Sequence, residues 1–369
     1  MTSGRRISRV AVLWRHVTGY LKAALREMLA DPDVRLFVVQ NRRQSNATFA
    51  PLAHDRCRFI DLVSMDNDSW LEDLRAFNPD LAIITGIRDK AYLKAAHLIR
   101  DQGGFTVWAD DRVLRVPFRD LYQMLSGRLL GIWRDYEAAF VPGYAAAAYA
   151  RSIGFPETRI FQGLYTCDTE LFRPVGIQRH HHNQGDADWP QVFLFLGQFI
   201  ERKGIDTLLE AYRRYRARTT NPWELWCAGA GPLRSVLEGQ VGVKLLGFLK
   251  PEACTDAMAH SGALVIPSRW DHWPLVVHES TCAGLPVIAS RKCFSIIELV
   301  QDGYNGFTFP PGNVSYLTQV LLECANPRLA MDMGENSLRL SYRFDPRLFA
   351  WQVLENIPLT LDALRNDHD

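Results

Sequence analysis

Short apolar runs separated by longer amphipathic stretches recur along this chain, and that alternation admits few folds. Val10–Trp14, Arg35–Gln40 (RLFVVQ), Leu81–Thr85 (LAIIT), Phe105–Trp108 and Ala138–Val141 (AAFV) form a first series. Val192–Leu196 (VFLFL), Glu224–Ala228 (ELWCA), Lys244–Leu246, Ala263–Ile266 (ALVI) and Pro286–Ala289 (PVIA) form a second. Such runs are expected of parallel strands joined by helices. Between the first two, after a loop with Thr18 and Gly19, Leu21, Ala24, Leu25, Met28 and Leu29 mark one face of a helix. Leu317–Cys324 and Leu348–Ile357 read as later helices. Residues 176–190 (GIQRHHHNQGDADWP) are polar and aperiodic, and read as a linker or exposed loop. A length of 369 residues leaves room for two domains. The expected fold class is therefore α/β, two Rossmann-like halves facing a cleft, with no solenoid repeat and no heptad run.

Charge and cysteine usage narrow the function classes. Lys plus Arg (42) nearly balance Asp plus Glu (41), so no basic field points to nucleic acid. Basic residues slightly outnumber acidic ones in the front half, and the reverse holds behind it. The seven cysteines show no C-x-x-C spacing, which argues against a disulfide framework or a zinc site and for a reducing compartment. The apolar stretch near the N-terminus is too short for a signal or a membrane span, so the expectation is a soluble cytoplasmic protein. Basic and apolar residues interleave over 112–119 (RVLRVPFR), which suits peripheral contact with a membrane's inner face or an anionic glycan. A half-buried surface helix would look the same and is the preferred reading.

Chemistry concentrates in the second half. In Pro267–Ser290 (PSRWDHWPLVVHESTCAGLPVIAS) a strand ends at Pro267, a loop carries Asp271, His272, Trp273 and Pro274, and a helix begins near Leu275. The amides of a helix start at the strand ends favour an anion. Glu279, eight residues after Asp271, could hold vicinal hydroxyls; equally, Asp271 could be a cap and Glu279 a solvated helix residue. In Phe195–Gly204 (FLGQFIERKG), Gly197 lets a ligand approach the backbone, and Lys203, with Arg202 as a second candidate, offers charge to a phosphate. A basic pair before a helix is, taken alone, more often a solvated turn. The turn Cys227–Pro232 (CAGAGP), with Gly229, is too short for a dinucleotide fingerprint.

These blocks, in this order, resemble family 4 glycosyltransferases (glycosyl transferases group 1), retaining enzymes of the GT-B fold. The resemblance runs from Val192 to about Cys324, through GQFIERKG, AGAGP, VKLLGFL, the Pro267–Ser290 stretch and Ile297–Phe307 (IELVQDGYNGF). Gly163–Pro174 (GLYTCDTELFRP) is similar to the segment that ends the family's first domain. The resemblance implies an acceptor-side domain over 1–175, the linker 176–190, a nucleotide-sugar domain over 191–345 and a terminal helix, 346–369, packing back on the first domain. It also implies that Glu279 holds the nucleotide ribose, Asp271 the hydroxyls of the donor sugar and Lys203 the diphosphate. The backbone of Trp273, Pro274 and Leu275 would lie along sugar and diphosphate, and Gly247, Phe248 and Leu249 would border the base. Gly19, Gly197, Gln198, Arg202 and Gly229 complete the expected donor set.

Departures from the family pattern bear on the donor. The first acid is Asp271 rather than the usual Glu, one methylene shorter. Gln198 stands where many members carry an arginine, and His272 and Trp273 replace a small glycine and an aromatic. Of the family's first glycine-rich loop only Gly19 remains. Asp110 and Asp111 stand where members place a histidine near the reacting carbon. Asp110 is thus a catalytic candidate beside Asp271 and Lys203, and His16, Asp110 and Asp111 are acceptor-side candidates. No cofactor beyond the donor co-substrate and no metal is expected. His180–His182 read as a solvated run, and the pairs Asp66/Asp68 and Asp186/Asp188 lack strand context. The implied activity is sugar transfer, with retention, from a nucleotide-sugar to a glycan, lipid-linked or small-molecule acceptor. A nucleotide-sugar hydrolase or epimerase of the same fold, or a silent nucleotide-sugar-binding subunit, are the alternatives.

Overall fold

The computed structural model describes residues 6–41, 52–62, 69–87, 89–114, 124–125, 127–129, 131–182 and 189–366. Two compact units account for the chain. The first comprises residues 1–166 and 346–369, the second 167–345.

Unit 1 is a parallel seven-stranded sheet: β1 (Arg9–Trp14), β2 (Arg35–Gln40), β3 (Cys57–Asp61), β4 (Leu81–Thr85), β5 (Phe105–Ala109), β6 (Ala138–Val141) and β7 (Ile160–Gln162). Its order is β3-β2-β1-β4-β5-β6-β7, so the winding reverses between β1 and β4. The central strands are buried almost throughout, which is why they read as unbroken apolar runs. The edge strands β3 and β7 do not stand out in the sequence, because an edge needs no continuous apolar stretch; β3 buries only Ile60 fully. The helix Gly19–Leu29 turns Leu21, Ala24, Leu25, Met28 and Leu29 inward, the face the sequence pattern predicts. The last helical stretch, Pro346–Asn366, returns to this unit. Phe349, Val353, Ile357 and Leu361 join the core of Val10, Val12, Leu36 and Phe140, with the Phe140 and Phe349 rings 5.2 Å apart. Gln352 donates to the Gln162 carbonyl at 2.9 Å.

Unit 2 repeats the theme with β8 (Val192–Leu196), β9 (Glu224–Ala228), β10 (Val243–Gly247), β11 (Ala263–Ile266), β12 (Val287–Ser290) and β13 (Gly306–Phe309). The order β10-β9-β8-β11-β12-β13 places the reversal between β8 and β11. Phe193, Phe195, Leu208, Tyr212, Tyr215, Trp223 and Leu225 fill the core on one face.

One expectation is corrected. Residues 169–182 form a helix, so the stretch from 176 to 182 is not a linker; residues 183–188 lie outside the described ones. The helix shows no apolar periodicity because, beyond Phe172, its inward face is polar or small. Gly176 sits where a Cβ would lie 2.5 Å from the Cys282 carbonyl oxygen, and His180 Nε2 is 3.3 Å from the Gly284 carbonyl. Arg179 is buried, donates to the Ser261 carbonyl at 2.8 Å and to the Met258 carbonyl, and stacks 4.8 Å over Trp189. Specific polar partners replace the hydrophobic stripe.

Candidate functional site

In open parallel sheets, ligands bind beyond the carboxyl ends of strands where the winding reverses. In unit 2 that point lies after β8 and β11. The loops after β8, β9 and β10 are fastened there by their backbones. Gly197 N–H donates to Ala228 at 3.0 Å, Phe199 N–H to Ala230 at 2.8 Å and Gly229 N–H to Gly247 at 2.7 Å. Gly229 is therefore structural in its own right: at φ +145°, its Cβ would stand 1.9 Å from the Gly197 carbonyl oxygen. Gly197 has more room, with only the Phe195 ring and the Lys203 stem near an added Cβ.

After Gly197 the chain exposes Gln198, buries Phe199 and makes a single 3-10 turn over Glu201–Lys203. Gly204 ends that turn at φ +70°, so close to β11 that a Cβ would meet the Pro267 carbonyl oxygen at 2.2 Å. This approach delivers Lys203 to the loop after β11. Its ammonium is ion-paired with Asp271 Oδ2, and Arg202 Nη1 lies 3.6 Å from Oδ1. Arg202 also donates to the Trp270 carbonyl at 2.8 Å. Three of the expected residues, 68 positions apart in sequence at the Lys203–Asp271 pair, thus meet at the reversal point.

The helix Leu275–Cys282 begins at Pro274, which has no N–H, and no side chain caps it. Trp273 does not project freely; it is buried, with its ring 5.6 Å from His278. Burial holds the His278 imidazole neutral, pushed down to about 3. Glu279, one turn into the helix, is only partly exposed, and burial alone pushes its carboxyl up to about 7. It has no hydrogen-bond or ion-pair partner among the described residues. Phe248 is 76% exposed beside Gly247, so its ring face is available, and Leu249 is half-buried.

In unit 1 the expected residues gather at the carboxyl ends of β1 and β5. Gly19 opens its helix with free space around it, and His16 is half-buried just before. Asp110 is engaged: Arg112 Nε donates to both carboxylate oxygens at 2.9 and 3.0 Å, and the Arg112 N–H adds a third bond at 2.8 Å. The Arg112 guanidinium is itself held over Trp108 and Tyr149. That arrangement suits a fixed structural anion better than a proton acceptor, which counts against Asp110 as a catalytic group. Asp111 is different. Burial first and the Asp110 charge second push its carboxyl up to about 6, partly offset by a hydrogen bond to Tyr165. Tyr165 meets Tyr20 edge-on at 4.9 Å, and Trp14 donates to the Tyr20 hydroxyl at 3.3 Å. Sequence reasoning did not find this phenol pair; Tyr20 and Tyr165 stand 145 positions apart, and although Tyr165 lies in the Gly163–Pro174 segment nothing there singles out its phenol.

The Asp111 shift has a measurable consequence. A carboxyl whose folded value lies above its unfolded one favours the fold fully below the unfolded value, and that benefit is lost as pH rises through the folded one. Asp111→Asn should therefore match wild type near pH 4 and become the more stable protein above pH 6. The gain should reach at most about 3 kcal/mol. Urea unfolding at both pH values checks this, and equal stabilities throughout would contradict it.

Among the described residues, no group of three or more His, Cys, Asp or Glu could hold a metal ion. Nor is any helix among them long and apolar enough to cross a membrane. Asp66/Asp68, Asp186/Asp188 and most of 112–119 lie outside the described residues.

Residues 190–326 match the family model of glycosyl transferases group 1. The stretch contains every loop of the unit 2 site. An uncharacterized glycosyltransferase of Methanocaldococcus jannaschii is 30% identical over 170 residues, 44% of this chain and 46% of that protein. The α-D-kanosaminyltransferase of Streptomyces kanamyceticus is 26% identical over 181 residues, 47% of this chain and 45% of that protein. The chain thus spans about half the length of these curated relatives. Solved structures extend the likeness over both units. Sucrose-phosphate synthase from Thermosynechococcus elongatus superposes with a TM-score of 0.68 at 19% identity, covering 98% of each chain. HepE of Anabaena in complex with UDP gives 0.70 at 18% identity, covering 95% of this chain and 99% of that one. The fold is the α/β GT-B fold of these glycosyltransferases.

Proposed function

We propose that the protein is a retaining glycosyltransferase that moves a sugar from a nucleotide-sugar to a glycan, lipid-linked or small-molecule hydroxyl. The observation that carries this reading is the meeting of Lys203, Arg202 and Asp271 at the reversal point of the second sheet, with the unpartnered Glu279 one turn into the helix that follows. A diphosphate fits the two cations and the start of the helix Leu275–Cys282, where backbone dipoles favour negative charge. Glu279 accepts from the ribose hydroxyls, Phe248 and Leu249 border the base, and the Gly197–Gln198 and Trp273–Leu275 backbone lines the sugar and phosphates.

Catalysis in this scheme is electrostatic. Lys203, Arg202 and the helix start stabilise the diphosphate as the glycosidic bond breaks, so the leaving oxygen can depart without a metal. That oxygen also takes the acceptor proton on the same face, which is why no dedicated base is required and why the engagement of Asp110 by Arg112 is no obstacle. The acceptor is assigned to unit 1, with Asp111, Tyr20 and His16 as its polar and aromatic contacts. Uridine is the first base to test, because HepE of Anabaena has been solved with UDP and with UDP-glucose.

Thermal unfolding against UDP, ADP and GDP with their glucose or mannose conjugates tests the reading. A ligand that binds only the folded state adds about 2.7 kcal/mol at a hundredfold excess over its Kd. A shift with one nucleotide is expected, and no shift with any overturns the proposal. Retention is read from the anomeric proton of the product by NMR, and EDTA should leave turnover unchanged. Release of free sugar from the donor as the sole reaction would instead favour a hydrolase, and binding without turnover a silent subunit.

A further inference from the structure

The role that family resemblance gives Asp271, a ligand for the donor sugar's hydroxyls, does not fit how the side chain is held. Oδ2 is ion-paired with Lys203 and lies 3.5 Å from the Ser268 hydroxyl, and Oδ1 faces Arg202 at 3.6 Å. The carboxylate is only 11% exposed and Lys203 only 16%, whereas Arg202 is 43% exposed. The backbone leaves little freedom to re-aim it. Asp271 N–H donates to the Lys292 carbonyl at 2.8 Å, and the Phe294 N–H donates back to the Asp271 carbonyl at 3.1 Å. A glutamate would carry its charge one methylene further out; the aspartate stops at the two cations.

We propose that Asp271 is the resident counter-ion of the diphosphate site, holding Lys203 and Arg202 in place until the diphosphate displaces it, and is not a sugar ligand. This rests on the nucleotide-sugar reading above. An incoming diphosphate brings more negative charge than one carboxylate and takes over the same two donors. While bound, it keeps Asp271 as a like charge beside it. Asp271 is on this account a positioning residue, acting on the donor through Lys203. It lowers diphosphate affinity and so favours product release, whatever sugar the donor carries.

The two roles predict opposite outcomes for Asp271→Asn, measured by titration calorimetry with matched pairs: UDP and UDP-glucose, ADP and ADP-glucose, GDP and GDP-mannose. The counter-ion role predicts that the diphosphate and its sugar conjugate both bind about three- to tenfold tighter, by the same factor. The gain should shrink in the Lys203→Met background, since the part of the coupling that runs through Lys203 disappears with it and only Arg202 and the like-charge repulsion remain. Asp271→Glu, which keeps the charge, should restore wild-type affinity for the diphosphate. Asp271→Ser replaces the asparagine variant if unfolding curves show that Asn disturbs the fold. Weaker binding of the sugar conjugate with unchanged diphosphate binding would overturn the proposal and return Asp271 to the sugar. Unchanged affinity for both members of a pair would overturn it as well. If wild type binds no pair, the nucleotide-sugar reading fails and the counter-ion role with it; if wild type binds and only the variant pattern fails, the reading stands and this inference alone falls.

Discussion

Replacing Glu279 by glutamine should make the free protein more stable at pH 8 while removing the stabilisation that a nucleoside diphosphate confers. Burial raises the carboxyl of Glu279 from 4.5 to about 7, with no partner to offset it. The neutral form is the one the fold prefers. Its contribution is therefore complete below pH 4.5 and disappears as pH climbs through 7. Above that point wild type carries a charge that costs at most about 3 kcal/mol, and glutamine removes it. The two proteins should unfold alike at pH 5 and diverge by pH 8. Binding goes the other way. A carboxylate accepting from two ribose hydroxyls makes charge-assisted hydrogen bonds, and their loss weakens nucleotide by about 10- to 100-fold. The same titration gives wild type a pH dependence, with nucleotide affinity falling as pH drops below 7 and the carboxyl protonates. Thermal unfolding of both proteins from pH 5 to 9, with and without UDP, reads all of this. A glutamine variant that keeps the full nucleotide shift would show that Glu279 does not hold the ribose.

Gly229→Ala should be the most damaging single methyl that can be added near the site. The residue sits at φ +145°, where side chains are strained, and its Cβ would be 1.9 Å from the Gly197 carbonyl oxygen and 2.9 Å from its carbon. Neither neighbour is a flexible side-chain tip. The loops after β8 and β9 must move apart, breaking the Gly197–Ala228 and Phe199–Ala230 hydrogen bonds that fasten them. A loss of about 3–5 kcal/mol is expected from strain and broken bonds together. Nucleotide binding should weaken as well, since Lys203 hangs from the displaced loop. Gly303→Ala is a suitable comparison: its φ is also positive, at +75°, but nothing lies within 4 Å of an added Cβ, so only the conformational cost of about 1 kcal/mol applies. Urea midpoints of the two variants should differ widely, and equal midpoints would mean that the loops accommodate the methyl.

What could be read from the sequence follows from where burial is two-sided. The central strands of both sheets announce themselves because burial on both faces leaves them almost wholly apolar, with Thr106 and Ser290 among the exceptions. The edge strands β3, β7 and β13 do not, and neither does the helix Thr169–His182, whose packing face is Phe172, Gly176, Arg179 and His180. The site is half legible. Lys203, Asp271 and Glu279 stand out by motif, but the ion pair that ties the first two together spans the whole of β9, β10 and β11 and has no local signature. Asp110 and Asp111 look interchangeable as a dipeptide. Only the fold separates them, handing one to Arg112 and burying the other beside Tyr165.

The return of residues 346–366 to unit 1 also bears on how the chain is born. On a ribosome the first unit emerges early but without Phe349, Val353, Ile357 and Leu361, the side chains that close its core beside Phe140. Every strand and core residue of the second unit is made before those side chains are. Synthesis order and completion order are therefore inverted: the later half can reach its final packing while the earlier half still waits, its apolar flank uncovered, for residues 346–366 to be translated.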